Sequence, residues 1–256
     1  MHGSAQQTAN RSISHREGTS PMKTSTLLAI TALAAASALS GAALGKDMPD
    51  DWDGLVKVKP KHMDAAYVLP GADFRIYTKV MIDPTEVAFK KNWRRDINDS
   101  TMGIASDVSQ QDAEKIAAAA RSGFDDVFKA AFEKAGLQVV TAPGADVLRL
   151  SPGVLNLYIN APDVMSAGMS RTYTAEAGEA TLVLEARDST SGALLGRVLD
   201  RRETQGTGRV QWATSVSNRS DFELLFKQWS AICVKGLDEL KAHSPVPPDL
   251  QPNQKL

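Results

Sequence analysis

The segment "EATLVLEARDSTSGALLGRVLDRR", Glu179 to Arg202, restricts the fold more than any other part of the chain. Leu182, Leu184 and Ala186 alternate with Thr181, Glu185 and Arg187, with Val183 between them, the period of two that gives a strand one apolar and one polar face. "DSTSG" then supplies a turn, because Asp188 can start it and Gly192 can take a positive φ at low steric cost. An antiparallel hairpin is predicted, and its apolar face needs a cover.

Two helices are predicted to provide that cover. Ser109 with Asp112 reads as a capping box, and Ile116, Ala120, Phe124, Val127, Phe128, Ala131 and Ala135 recur at three- and four-residue spacing, with Gly136 closing the helix. A second capping box, Ser220 with Glu223, opens a helix whose apolar face carries Phe222, Phe226, Trp229, Cys233, Leu237 and Leu240. "YTKVMIDPTEVAF" predicts a strand that bends or ends at Asp83-Pro84, where proline removes a donor. "KKNWRRDINDS" reads as a charged loop or edge segment. "LQVV", "DVLRL" and "VLNLYIN" read as short strands punctuated by Pro143-Gly144 and Pro152-Gly153. The predicted class is α+β, a mostly antiparallel sheet with two amphipathic helices packed on one face. The other face is left to water or to a partner.

Five segments are expected: an over-extended start or disordered leader over residues 1–21, a signal peptide over 22–45, an arm or linker over 46–69, a single α+β domain over 70–242, and a disordered proline-rich tail over 243–256. The signal reading rests on order. Met22-Lys23 is basic, Leu27 to Leu39 is apolar and small, and Ser40 to Gly45 is small, with Ala43-x-Gly45 fitting a cleavage site before Lys46. The run is Ala-rich and falls short of the strongly apolar ~20 residues that span a bilayer. The alternative is an uncleaved signal acting as a membrane tether.

Without residues 1–45 the chain loses three of its 29 basic and one of its 30 acidic side chains, leaving 26 and 29 and a net charge of −3. That gives no electrostatic reason to bind nucleic acid or anionic lipid. The acidic "DDWDG" reads as surface, since the third ligand and distal Glu of a calcium loop are missing.

The same residues offer little chemistry. Cys233 stands alone, so it is read as a buried structural thiol with no intramolecular disulfide. His2 and His15 fall in the leader, His62 in the arm and His243 at the start of the tail, which argues against a histidine triad or zinc site. No G-x-S-x-G elbow occurs, "GTGRVQ" lacks the third glycine of a dinucleotide fingerprint, and "GAALGK" lies inside the signal. Asp83, Glu86, Asp96, Asp99, Glu185 and Asp188 are available for a carboxylate pair, but Glu185 reads as part of a solvated strand face. Arg197, Arg201 and Arg202 read as a charged edge that blocks sheet-to-sheet aggregation. Trp93 beside Arg94-Arg95 reads as a buried tryptophan rather than a partner anchor. No catalytic, cofactor-binding or metal-binding residue is assigned, and no cofactor is expected.

"YVLPGADF" followed by "YTKVMIDPTEV", the hairpin, and the closing helix "FELLFKQWSAICVKGLDEL" together resemble the domain of unknown function 3313 family of uncharacterised bacterial lipoproteins, over roughly Leu69 to Leu240. The resemblance implies export to the cell envelope, commonly with a lipid anchor, and no established activity. Leu39-Ser40-Gly41 matches a lipoprotein signal end, but Ala42 stands where the lipidated cysteine would be, so no lipid anchor is expected. The resulting expectation is a periplasmic or secreted, non-enzymatic binding or scaffolding module that engages an envelope protein or polymer. The alternatives are an envelope hydrolase using paired carboxylates and a small-molecule carrier with an apolar cavity between helices and sheet. Intact mass of the exported protein checks the first step: it should correspond to a chain beginning near Lys46, and a mass that retains Leu27 to Leu39 contradicts cleavage.

Overall fold

The computed structural model describes residues 48–100, 107–160, 173–174, 178–204, 211–212 and 215–256, all within the unit Leu44–Leu256. The signal and cleavage site lie outside the described residues. In chain order the strands and helices are β1 (Asp51–Trp52), β2 (Leu55–Val58), β3 (Ala65–Val68), β4 (Lys79–Ile82), β5 (Glu86–Phe89), α1 (Trp93–Ser100), α2 (Gln110–Lys134) and β6 (Gln138–Val139). They continue with β7 (Val147–Ile159), β8 (Tyr173–Thr174), β9 (Gly178–Asp188), β10 (Leu194–Glu203), β11 (Gln211–Trp212) and α3 (Ser215–Ala242).

The predicted hairpin is β9–β10, and it sits in the middle of the main sheet, whose order is β1-β2-β3-β10-β9-β7-β4-β6, with β5 also paired to β7. The pairs β4–β6, β4–β7 and β5–β7 are parallel and the rest of this sheet is antiparallel. β8 and β11 form a separate two-stranded antiparallel pair. At the hairpin turn Asp188 accepts the Thr190 and Ser191 backbone N–H groups, and Gly192 takes φ +74°.

The segments read as two strands around Pro152-Gly153 are one strand of 13 residues, β7. Proline is tolerated because the neighbouring ladder stops there: β4 pairs as far as Leu150 and β5 resumes at Gly153. The gap, Asp83 to Thr85, contains Pro84, so both prolines fall where sheet donors are not needed. α2 satisfies the exposed backbone instead, with Asp125 accepting Thr85 N–H and Arg121 donating to Thr85 O. Asn156 takes φ +51° at a register irregularity in β7, a bulge that moves the buried side chains from Leu148, Leu150 and Val154 to Leu157 and Ile159.

α2 begins with the predicted capping box, Ser109 and Asp112 each accepting the other's backbone N–H. It ends in a Schellman motif: Gly136 N–H donates to Glu133 O and Leu137 N–H to Phe132 O, with Gly136 at φ +85°. Its buried face holds Phe124, Phe128 and Phe132, and Phe124 meets Phe226 of α3 edge-on at 5.2 Å between centroids. α3 carries Phe226, Trp229, Cys233 and Leu237 inward, as its spacing predicts, but it starts at Ser215, so Ser220 lies inside the helix rather than at its cap. Trp229 Nε1 donates to the buried Asp200 carboxylate of β10 at 2.8 Å, which joins the helix to the sheet.

Three expectations are corrected. "KKNWRRDINDS" contains α1, whose Trp93 stacks on Phe89 at 4.1 Å and donates Nε1–H to Ile159 O. The expected arm over 46–69 instead contributes three sheet strands, because Asp53-Gly54, at φ +57° and +79°, makes a two-residue hairpin between β1 and β2. The expected disordered tail is packed against the domain: Val246 N–H donates to Ala72 O, Lys59 N–H to Gln254 O, and Val246 and Leu250 are buried.

Gly178 opens β9 at φ +159°, and an added Cβ would lie 1.9 Å from Tyr158 O. Gly178→Ala must therefore push β9 off β7, and urea unfolding should show a loss of at least about 2 kcal/mol. An unchanged midpoint contradicts the close packing.

Candidate functional site

Between α3 and the β2–β3–β10 end of the sheet lies an apolar crevice of about 160 Å³. It exists because small residues stand on its walls. Gly236 of α3 has no heavy atom within 4 Å of where its Cβ would be, and Gly196 and Ala66 belong to the facing strands. The floor is buried and apolar, including Val68, Phe74, Phe132, Leu150, Leu184 and Leu237. Its exposed lining residues are Lys59, Lys61 and His62 from the β2–β3 connection and Lys235 from α3.

Glu239 is the acidic residue of the lining. The Lys61 hydrogen bond holds its carboxyl below the ordinary range, burial works against that, and Lys235 and His62 add to the lowering. The Lys61–Glu239 ion pair measures 2.9 Å. Cys233 lies on the α3 wall, where burial, with Asp200 nearby, pushes its thiol up to about 12. The thiol is therefore protonated at neutral pH and a poor nucleophile, in line with a structural reading. Lys59, Lys61 and His62 were missed as a group because the segment carrying them was read as an arm or linker, whereas β2 and β3 bring it back against α3 and its Lys235.

The opposite sheet face is charged and ordered. Glu185, expected on a solvated face, is only 5% exposed, and Arg197, expected at a strand edge, is 3% exposed. β10 lies between β3 and β9, so Arg197 is not on an edge strand at all. Arg197 Nε and Nη2 donate to Glu185 Oε1 at 3.0 and 2.6 Å, Nη2 also donates to Asp53 Oδ2 at 2.8 Å, and the guanidinium sits 4.1 Å over the Trp52 ring. Arg187 donates to the other Glu185 oxygen at 2.7 Å. The alternation of the hairpin was legible; that β1 and its turn fold over this face was not.

The remaining candidates are accounted for individually. Asp83 accepts from Arg149 and from Ser151, and Ser151 stands opposite Glu185 in the β7–β9 register. Both carboxylates therefore already hold arginine partners. Hydrogen bonds from Ser191 keep the Asp188 carboxyl below its usual range, and Asp188 also accepts the Tyr77 hydroxyl. Glu86, Asp96 and Asp99 are exposed on β5 and α1. Arg201 pairs with Glu179, while Arg202 joins Asp200 and donates to His62 O, bracing the connection at the crevice. Trp93 is buried, and His243 caps the end of α3 through Glu239 O. Among the described residues no three His, Cys, Asp or Glu side chains gather to hold a metal, and no helix is long and apolar enough to cross a membrane.

The two charge partners of Arg197 should differ sharply in weight. Glu185→Gln leaves two arginines without their shared carboxylate in a buried setting and should cost about 3 kcal/mol. Asp53, whose side chain is 54% exposed, should cost under about 1 kcal/mol as Asp53→Asn. Denaturant unfolding of both variants checks this, and equal losses contradict the assigned burial.

No curated protein matches the chain. Among solved structures, it is similar to the PelC dodecamer from Paraburkholderia phytofirmans, with 11% identity over 65% of this chain and 94% of that one and a TM-score of 0.32. It is similar to a Xanthomonas campestris protein of family DUF330, with 14% identity, coverage of 73% and 95%, and a TM-score of 0.37. It is also similar to a protein described as a neuraminyllactose-binding hemagglutinin homolog from Helicobacter pylori, with 10% identity, coverage of 68% and 92%, and a TM-score of 0.29. Likenesses this low bear on neither fold nor function. The sequence itself is decisive: the model of the family described as "Protein of unknown function (DUF3313)" matches residues 46–232, and the chain belongs to that family.

Proposed function

We propose that this chain is an exported, non-enzymatic binding protein of the cell envelope, and that the crevice between α3 and the sheet is its ligand site. The observation that carries the reading is an apolar hollow of about 160 Å³ whose floor is core and whose mouth is charged. A well-packed interior leaves few voids larger than a water molecule, so a hollow of this size next to a helix glycine calls for an occupant. An engineered apolar cavity of about 150 Å³ takes benzene, which sets the scale at one small apolar group. The basic-apolar-small order of residues 22–45 supports export, and Ala42 supports release without a lipid anchor. A carboxylate-based hydrolase is less well supported, because Asp83 and Glu185 are both held by arginines. This is a narrower role than scaffolding on an open sheet face, where the Glu185–Arg197 network ties the strands to their own β1–β2 hairpin.

An environment-sensitive apolar fluorophore titrated into the purified full chain tests the site. It should bind at one equivalent, with the blue-shifted emission of an apolar environment. Gly236→Leu, filling the wall, should weaken binding by more than about tenfold while the unfolding midpoint is kept. Binding that ignores Gly236→Leu sinks the proposal.

A further inference from the structure

We infer that the occupant of the crevice is a single-chain amphiphile with an anionic head group, an inference that rests on the reading of the crevice as a ligand site. Three features select this class. Arg197, the buried charged residue of the lining, commits its guanidinium to Glu185 and Asp53 on the other sheet face, and the rest of the floor is apolar, so the inner part of the ligand is hydrocarbon. The room corresponds to about six carbon atoms on the benzene scale, enough for the end of one chain and too little for two. The mouth is cationic: Lys59, Lys61 and Lys235 line it against one acidic side chain, Glu239, with His62 beside them.

The charge balance matters because Glu239 is already used. It is paired to Lys61 at 2.9 Å, which leaves Lys59 and Lys235 as the surplus positive charge on the two sides of the opening, one from the β2–β3 connection and one from α3. A carboxylate, sulfate or phosphate head held there stays solvated while its chain enters the floor. Such a head gains charge-assisted hydrogen bonds without the desolvation cost of a buried ion. A neutral head gains only the chain burial. The net charge of the whole chain, −1, gives no such preference; it arises locally, where β2 and β3 meet α3.

The test is calorimetric titration of the full chain with n-alkanoates of about three to twelve carbons, each matched by the alcohol of equal length, below their aggregation concentrations. Affinity for the alkanoates should rise about fourfold for each added methylene, then flatten once the floor is full. Each alcohol should bind at least about tenfold weaker than its alkanoate, and added salt should narrow that gap. The double variant Lys59→Gln/Lys235→Gln, altering two exposed side chains, should abolish the gap and leave alcohol affinity unchanged. A parallel arm uses vesicles of dioleoylphosphatidylglycerol, with which the protein should not co-sediment. Equal affinity for alkanoate and alcohol overturns the anionic head group while the crevice remains a ligand site. Binding of neither overturns both readings. Co-sedimentation with vesicles in place of alkanoate binding overturns the single-chain assignment in favour of a membrane surface.

Discussion

The hydrogen bond from Trp229 to Asp200 fixes the relation between α3 and the sheet, and most of the architecture follows from it. An indole N–H cannot be buried alone, and a buried carboxylate needs several donors. Asp200 receives Trp229 Nε1, Arg202 Nε and the backbone N–H of Asp64, so one side chain ties together the helix, its own strand β10 and the connection into β3. Hydrogen bonds to a charged group are worth roughly 1.5–3 kcal/mol each. Apolar packing alone would let α3 slide along the sheet, whereas a directional bond sets its position.

With α3 fixed, the position of its glycine follows. Gly236 falls two turns after Trp229, opposite Gly196 and Ala66, and a helix at this height leaves a hollow that neither wall fills. The aromatic contact between Phe124 and Phe226 braces the other end of α3 against α2. The crevice is thus open where small residues meet and closed where phenylalanines do. Arg202 donates to His62 O from the same strand that carries Asp200, so the network that seats the helix also holds the connection that supplies the cationic mouth.

The two faces of the central hairpin do different work. On one, Leu182 and Leu184 bury against the helices; on the other, Glu185, Arg187 and Arg197 form a charge-paired layer under Trp52. A buried ion pair adds little stability compared with apolar residues of the same size, but removal of one partner is costly. Its effect here is register. Glu185 and Arg197 are directly opposed in the β9–β10 ladder, and a slip of β10 by one residue would turn Arg197 into the apolar layer and leave Glu185 without it.

The chain's local patterns determined its class. Alternation in Leu182 to Arg187, the Asp188 and Gly192 turn, the Ser109–Asp112 capping box and the Gly136 stop are interactions among neighbours in sequence, and the structure contains each of them. Phe226, Trp229, Cys233 and Leu237 were legible as a buried stripe for the same reason. Tertiary pairing decided the rest. Asp53-Gly54 was a hairpin signal in plain view, but its acidic neighbours suggested surface; only the pairing of β2 with β3 and β3 with β10 turned a charged arm into sheet. Glu185 and Arg197 carry charge, and charge in sequence implies water unless a partner from a distant segment, here Asp53 with Trp52, removes it. An apolar cavity between helices and sheet was one alternative the sequence left open, but its place could not be read, because a hollow belongs to no residue: it forms where Gly236, Ala66 and Gly196, far apart in the chain, come to line one space.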